Sequence, residues 1–145
     1  MDDAKLTIEL VPSGQWGANL RSELPKKRWD QLRKATYSSS GYVCEVCGGR
    51  GERWPVECHE RWNYDEKNKS QILIGLISLC PPCHEVKHMG RANAMGRGEQ
   101  AKSHLMKVNG WTDQIADAYI ENAFRVWLRR SSENWSLDIS WLEDQ

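Results

Sequence analysis

The sequence predicts a small α+β protein whose core is stapled by a metal-binding cysteine cluster. Three observations carry that expectation. Of the 5 cysteines, four form two C-x-x-C pairs, Cys44-Glu45-Val46-Cys47 and Cys80-Pro81-Pro82-Cys83. Between them lies strand-like sequence, with alternating residues around Val56, Cys58 and Glu60 and an apolar run from Ile72 to Leu79. Beyond them, Ile115, Ala116, Tyr119, Ile120, Ala123, Phe124 and Trp127 recur at the spacing of one buried helical stripe. Four thiolates brought together satisfy a tetrahedral zinc ion, so Cys44, Cys47, Cys80 and Cys83 are read as a structural Zn2+ site.

At 145 residues and 16.8 kDa the chain is one domain's worth. We divide it into a strand-and-helix arm (1–41), a zinc-stapled core (42–95) and a helical extension with a final strand (96–145), all parts of one unit. The formal net charge is +0, which argues against protein-wide attraction to nucleic acid or anionic membrane. Any basic surface must be local, and two segments supply one: 21–34, with Lys26, Lys27, Arg28, Arg33 and Lys34, and 87–107, with Lys87, Arg91, Arg97 and Lys102. No apolar run approaches the ~20 residues needed to cross a bilayer, and Met1-Asp2-Asp3 does not begin a signal segment. The expectation is a cytoplasmic protein with no membrane partner, in which paired cysteines bind metal instead of forming disulfides. A redox role would call for a thioredoxin-like βαβ setting, which the pattern lacks.

Taken in order, Leu6, Ile8 and Leu10 alternate with polar neighbours and predict a short strand closed by Pro12-Ser13-Gly14. Pro25 opens a predicted helix that buries Trp29 and Leu32 and ends near Tyr37. Tyr42 to Gly49 reads as a tight turn in which Cys44 and Cys47 converge. Residues 54–62 and 72–79 form a predicted hairpin around the polar connection 63–70. The next segment starts a helix in which His84 and His88, at i and i+4, share a face. Gly90 and Gly96-Arg97-Gly98 mark a flexible basic passage. A helix over 99–108 stops at Asn109-Gly110, and Thr112 caps the helix carrying the aromatic stripe. The tail from Trp135 to Trp141 alternates and predicts a last strand, paired with the N-terminal one. The 8 Trp of so short a chain are candidates to fasten the arms to the core.

Cys44 to Cys47, Glu57-Cys58-His59-Glu60, and Gly75-Leu76 through Cys83-His84 and His88 together resemble the zinc-bearing branch of the HNH endonucleases. The resemblance spans roughly the middle third of the chain. It implies a ββα-metal core and metal-dependent cleavage of phosphodiester bonds in DNA, less often RNA. A second, catalytic ion (Mg2+, Mn2+ or Ni2+) would be held by His84 and His88, with His59 on the first strand. Two departures bear on the roles. If Cys58 fills the strand's ligand slot, His59 is the general base; if His59 fills it, Glu60 falls in the base slot. The first assignment is favoured, because unperturbed imidazole accepts a proton near neutral pH more readily than a carboxylate. The family's middle Asn is replaced by Gly75, for which Asn63, Asn68 or Gln71 could substitute. Lys87, Arg91 and Arg97 are the expected nucleic-acid contacts, and cutting both strands would favour a homodimer. The competing expectation is a zinc-stabilised module that binds nucleic acid or a protein partner without cutting. His104, alone on its helix, carries no role.

Overall fold

In the computed structural model, which describes residues 4–145, an antiparallel hairpin runs into a short helix, and the remaining elements pack around that unit. The Met1-Asp2-Asp3 start lies outside the described residues. A short turn of helix, α1 (Leu20–Glu23), is capped by Asn19 and precedes α2 (Lys26–Ser39), which Pro25 starts and which buries Leu32. The hairpin consists of β1 (Glu57–Asp65) and β2 (Ser70–Leu79), with a register shift between Arg61 and Trp62. Its turn is closed by Asp65, whose carboxylate accepts the backbone N–H groups of Lys67 and Asn68.

Prolines 81 and 82 begin α3 (Pro81–Lys87), where their missing N–H groups cost nothing. Then come α4 (Met89–Ala94) and α5 (Gly98–Asn109), the latter stopped by Gly110 at φ 67, a left-handed conformation favouring glycine. Thr112 accepts the N–H of Ile115 and caps α6 (Asp113–Ser131). The sheet ends with β3 (Ser136–Asp138), parallel to β2, so the strand order is β1-β2-β3 and β1 keeps a free edge. Leu6, Cys44, Leu79, Cys83, Val86 and Leu105 belong to one buried cluster, so residues from the arm, the cysteine segments and the helical extension share a core. No helix among the described residues is long and apolar enough to cross a membrane.

Three expectations change. Residues 4–12 alternate as a strand would but form no ladder, because side chains take up their main-chain groups. Leu6 N–H donates to Asn109 Oδ1 and its carbonyl accepts from Asn109 Nδ2, both at 2.9 Å, while Ile8 N–H donates to Tyr119 Oη at 3.1 Å. Glu9 N–H donates to Lys87 O, tying the segment to α3. The tail strand therefore pairs with β2 instead of the N-terminus, and it gives way to a 3-10 helix over Ser140–Asp144. The passage around Gly90 is helical, since Met89 and Ala92 bury into the core. Of the tryptophans, Trp127 ties the helical extension to the arm, its indole N–H donating to Val11 O, and Trp135 meets Tyr64 of the hairpin edge-on. The indole N–H groups of Trp16 and Trp135 bond locally, to Val11 O and Arg130 O. Gln71 is fully buried beside these elements with neither amide atom hydrogen-bonded, a polar cost inside the sheet.

Two stability predictions follow from these ties. Asn109→Ala strands both main-chain groups of Leu6 and should lower unfolding free energy by about 1–3 kcal/mol in a urea titration. At the hairpin tip, burial raises the Glu66 carboxyl, but hydrogen bonding and charge from Arg130, with Arg129 and Lys69, hold it below its ordinary 4.5. A carboxylate depressed by folding contributes stability above its unfolded pKa and loses it as pH falls through the folded value. The melting-temperature deficit of Glu66→Gln should therefore be largest near neutral pH and shrink as pH falls through the depressed folded value; its half-exposed setting keeps the effect small.

Candidate metal centres and the adjoining groove

The first centre is built by two backbone turns. Gly48, at φ 77, reverses the chain after Cys47, Cys44 N–H donates to Gly49 O, and Gly49 N–H donates to the Cys47 sulfur. Across from this knuckle, Cys80 stands immediately before α3 and Cys83 inside its first turn. One ligand atom from each of Cys44, Cys47, Cys80 and Cys83 lies within 4.8 Å of the others. The Cys47 and Cys80 sulfurs are 3.6 Å apart, close to the roughly 3.8 Å that tetrahedral zinc with 2.3 Å bonds requires.

The charges point the same way. A hydrogen bond from Cys83 holds the Cys44 thiol down at about 4, whereas burial pushes Cys80 up to about 12. Cys83 is pushed up as well, by its bond to Cys44 and by burial. Four packed sulfurs cannot all ionise unless a cation offsets their repulsion, and zinc supplies that offset. The donor set and geometry thus fit a structural zinc ion. His104 Nε2 stands 3.2 Å from the Cys83 sulfur, a contact that α5 creates and that no spacing in the sequence announces.

The second centre joins His59 on β1 to His84 and His88, each of which offers a nitrogen within 4.8 Å of the others. His84 Nε2 and His88 Nε2 are 3.2 Å apart, against roughly 3.3 Å for two nitrogens on one tetrahedral ion with 2.0–2.1 Å bonds. The outer nitrogens are committed elsewhere. His84 Nδ1 pairs with Glu57 Oε1 at 3.0 Å and His59 Nε2 with Glu9 Oε2 at 3.2 Å. Each carboxylate fixes its imidazole's tautomer, as the outer partners of metal-binding histidines do, and on His84 the other nitrogen, Nε2, is the one that faces His88. Burial lowers the pKa of His59 against the pull of Glu9. Burial, with the charges of His84 and His59, brings His88 to about 3. Both are therefore neutral, the ligand form, near pH 7.

Behind His59, burial raises Glu9, but its bonds to His59 and Lys87 outweigh that and bring it to about 2. Lys87 is itself buried, with Nζ 2.5 Å from Glu9 and 2.7 Å from Thr7 Oγ1. This corrects the expectation of Lys87 as a nucleic-acid contact: its charge is spent on Glu9. Arg97, another expected contact, is exposed but paired with Glu85 through two nitrogens, and Arg91 is exposed on the wall of the groove described next. Cys58 points to the other side of β1, opposite Ser78, where burial raises its thiol to about 11; it joins neither cluster.

The three histidines open into a groove of about 1680 Å³ that runs along β1 between α2 and α6. Four carboxylates line it. Glu9 and Glu57 hold imidazoles, and Asp30 is paired with Lys26 and Arg33. Glu60 receives only the Leu20 N–H, at 3.3 Å, and keeps acceptor capacity to spare. Of the three side chains expected as candidates for the Asn role, Asn63 lines this groove, Asn68 is bound to Asp65 in the hairpin turn, and Gln71 is buried. Sequence reasoning missed Glu9, Glu57 and His104 because each acts on a residue distant in the chain.

Fold and sites together define an α+β protein with a cysteine cluster able to hold zinc. Comparison with protein-family models, curated proteins and solved structures finds no match to this chain in any of the three.

Metal analysis checks the two centres separately. After dialysis the protein should retain about one zinc per chain, and chelator strong enough to remove it should melt the core, as Cys80→Ser should. A second, exchangeable ion should bind the parent and be lost in His84→Ala while the first zinc stays.

Proposed function

We propose that the protein is a metal-dependent nuclease of the HNH type that hydrolyses phosphodiester bonds in DNA. The observation that carries this reading is the convergence of His59, His84 and His88, each offering a nitrogen to one point at the wall of a groove. A dication there would neutralise charge developing on phosphate oxygens and on the leaving oxygen. Three neutral imidazoles favour Zn2+ or Ni2+ over Mg2+ and Mn2+, which prefer oxygen ligands.

In this reading His59 is a ligand and not the base, because Glu9 already occupies its Nε2 and the rings of His84 and His88 stand edge-on to it, with centroids 5.2 and 5.4 Å away. Glu60 then takes the base role, as the groove carboxylate with acceptor capacity left. Glu60 accepts a proton from water as the water oxygen bonds to phosphorus. The bond from phosphorus to the leaving oxygen breaks, and that oxygen takes a proton from solvent. Glu9 and Glu57 hold two imidazoles in the ligand tautomer, and Lys87 holds Glu9.

A second reading rests on Gly75. It stands in the slot where the family carries Asn, opposite Arg61, with open space where a side chain would be. A chain that kept the zinc scaffold and lost cutting would bind nucleic acid or a protein partner through the same groove.

A plasmid-nicking assay with added Zn2+, Ni2+, Mn2+ or Mg2+ decides between them. The parent should nick with a transition ion, and His84→Ala should lose that activity at least about 100-fold. Glu60→Gln should lower the rate about 100- to 10,000-fold while a second metal ion still binds, which separates base from ligand. Equal absence of nicking in the parent and all variants, with folding intact, selects the binding module.

A further inference from the structure

On the groove wall Trp16 combines rigidity with exposure. Its side chain is 63% exposed, yet the segment beneath it is pinned. Ser13 N–H donates to Ser131 Oγ at 3.0 Å and Gln15 Nε2 donates to Trp135 O at 2.6 Å. The indole N–H groups of Trp16 and Trp127 share Val11 O, at 2.9 and 3.0 Å, which locks the rings in a stack with planes 11° apart. The two ring centroids are 6.3 Å apart, an offset stack; the Trp16 N–H is satisfied internally, and most of the ring's surface is open.

A cover for Trp127 needs only an apolar side chain, not a rigid aromatic plane held at a groove. Trp16 shares that groove with the three histidines and with Arg21 and Arg91, which make no ion pair among the described residues. A flat π-face and unpaired guanidinium groups along one channel match the two parts of a polynucleotide, base and phosphate. The bases of an intact duplex have their faces covered by neighbours, so only an unpaired base can lie on such a plane.

We infer that Trp16 is a stacking platform for an unpaired base, and that the groove takes a single-stranded polynucleotide. This deepens the nuclease reading and rests on it for the choice of nucleic acid as occupant.

Binding is measured by fluorescence anisotropy in the His84→Ala background, which does not cut. The probes are a labelled oligo(dT) of about 15 nucleotides, the matching oligo(rU) and a duplex of the same length. Trp16→Leu, which keeps an apolar cover on Trp127, should weaken oligo(dT) binding by about 5- to 100-fold and leave duplex binding unchanged, while Trp16→Phe should stay near the parent. Loss with oligo(dT) alone identifies DNA as the occupant, and equal loss with oligo(rU) extends the platform to RNA. Single-strand affinity within about twofold of the parent in Trp16→Leu, or equal loss for strand and duplex, overturns the inference.

A second measurement needs no variant. Photo-cross-linking of a 5-iododeoxyuridine oligonucleotide to the parent should label the peptide containing Trp16, and labelling only elsewhere overturns the platform. Failure of the two readings is distinguishable. If the parent never nicks but Trp16→Leu still loses single-strand binding, the nuclease reading falls and the platform stands. If the parent nicks and Trp16→Leu binds normally, the reverse holds.

Discussion

Everything in this molecule depends on holding two backbone turns together through four sulfurs. The knuckle at 44–49 and the first turn of α3 are short and could not hold their shapes alone. Bringing Cys44, Cys47, Cys80 and Cys83 to one point fixes where α3 begins relative to β2, because Cys80 follows the strand directly. It thereby fixes where His84 and His88 stand. The cysteine cluster and the histidine cluster are thus consecutive outputs of one helix, whose first turn presents a sulfur inward and whose later turn presents imidazole to β1.

The histidine centre shows how a scaffold arms a site with second contacts. Glu57 comes from β1 itself, but Glu9 comes from a segment that would have been a strand had its backbone found a ladder. It found side chains instead, Asn109 and Tyr119, and these set the segment against α3, where Lys87 and Glu9 meet. A buried lysine paired with a carboxylate is expensive to desolvate and adds little stability by itself. Its value here is orientation: it holds the carboxylate that holds His59. The chain's neutral total charge fits this arrangement, since many of its cations are paired with carboxylates, Lys87 in the interior and others such as Lys26 at the surface.

The groove brings together parts that sequence distance separates. The free edge of β1 forms one side, and its alternation sends His59 and Glu60 to opposite faces of the strand. Both still border the same space, because α2, α6 and the pinned segment around Trp16 enclose the strand's outer edge. The proposed chemistry uses that enclosure without requiring a deep pocket.

Much of the fold was legible from local chemistry. The cysteine spacing announced a cluster able to hold zinc, Pro25 and Thr112 marked helix starts, Asn109-Gly110 marked a stop, and the apolar run to Leu79 made the hairpin readable. These signals are written in neighbouring residues, because caps, turns and periodicity act over a few positions. The pairing of the tail with β2, the helix over Met89–Ala94, the burial of Lys87 and the contacts of Glu9, Glu57 and His104 were not legible. Each depends on which distant surface arrives beside a residue, and that is set by packing of the whole chain. The sequence by itself determined which side chains could bind metal. Only the tertiary structure decided which nitrogen of His59 and of His84 was left to do so, because on those two rings that choice belongs to the carboxylate on the other side.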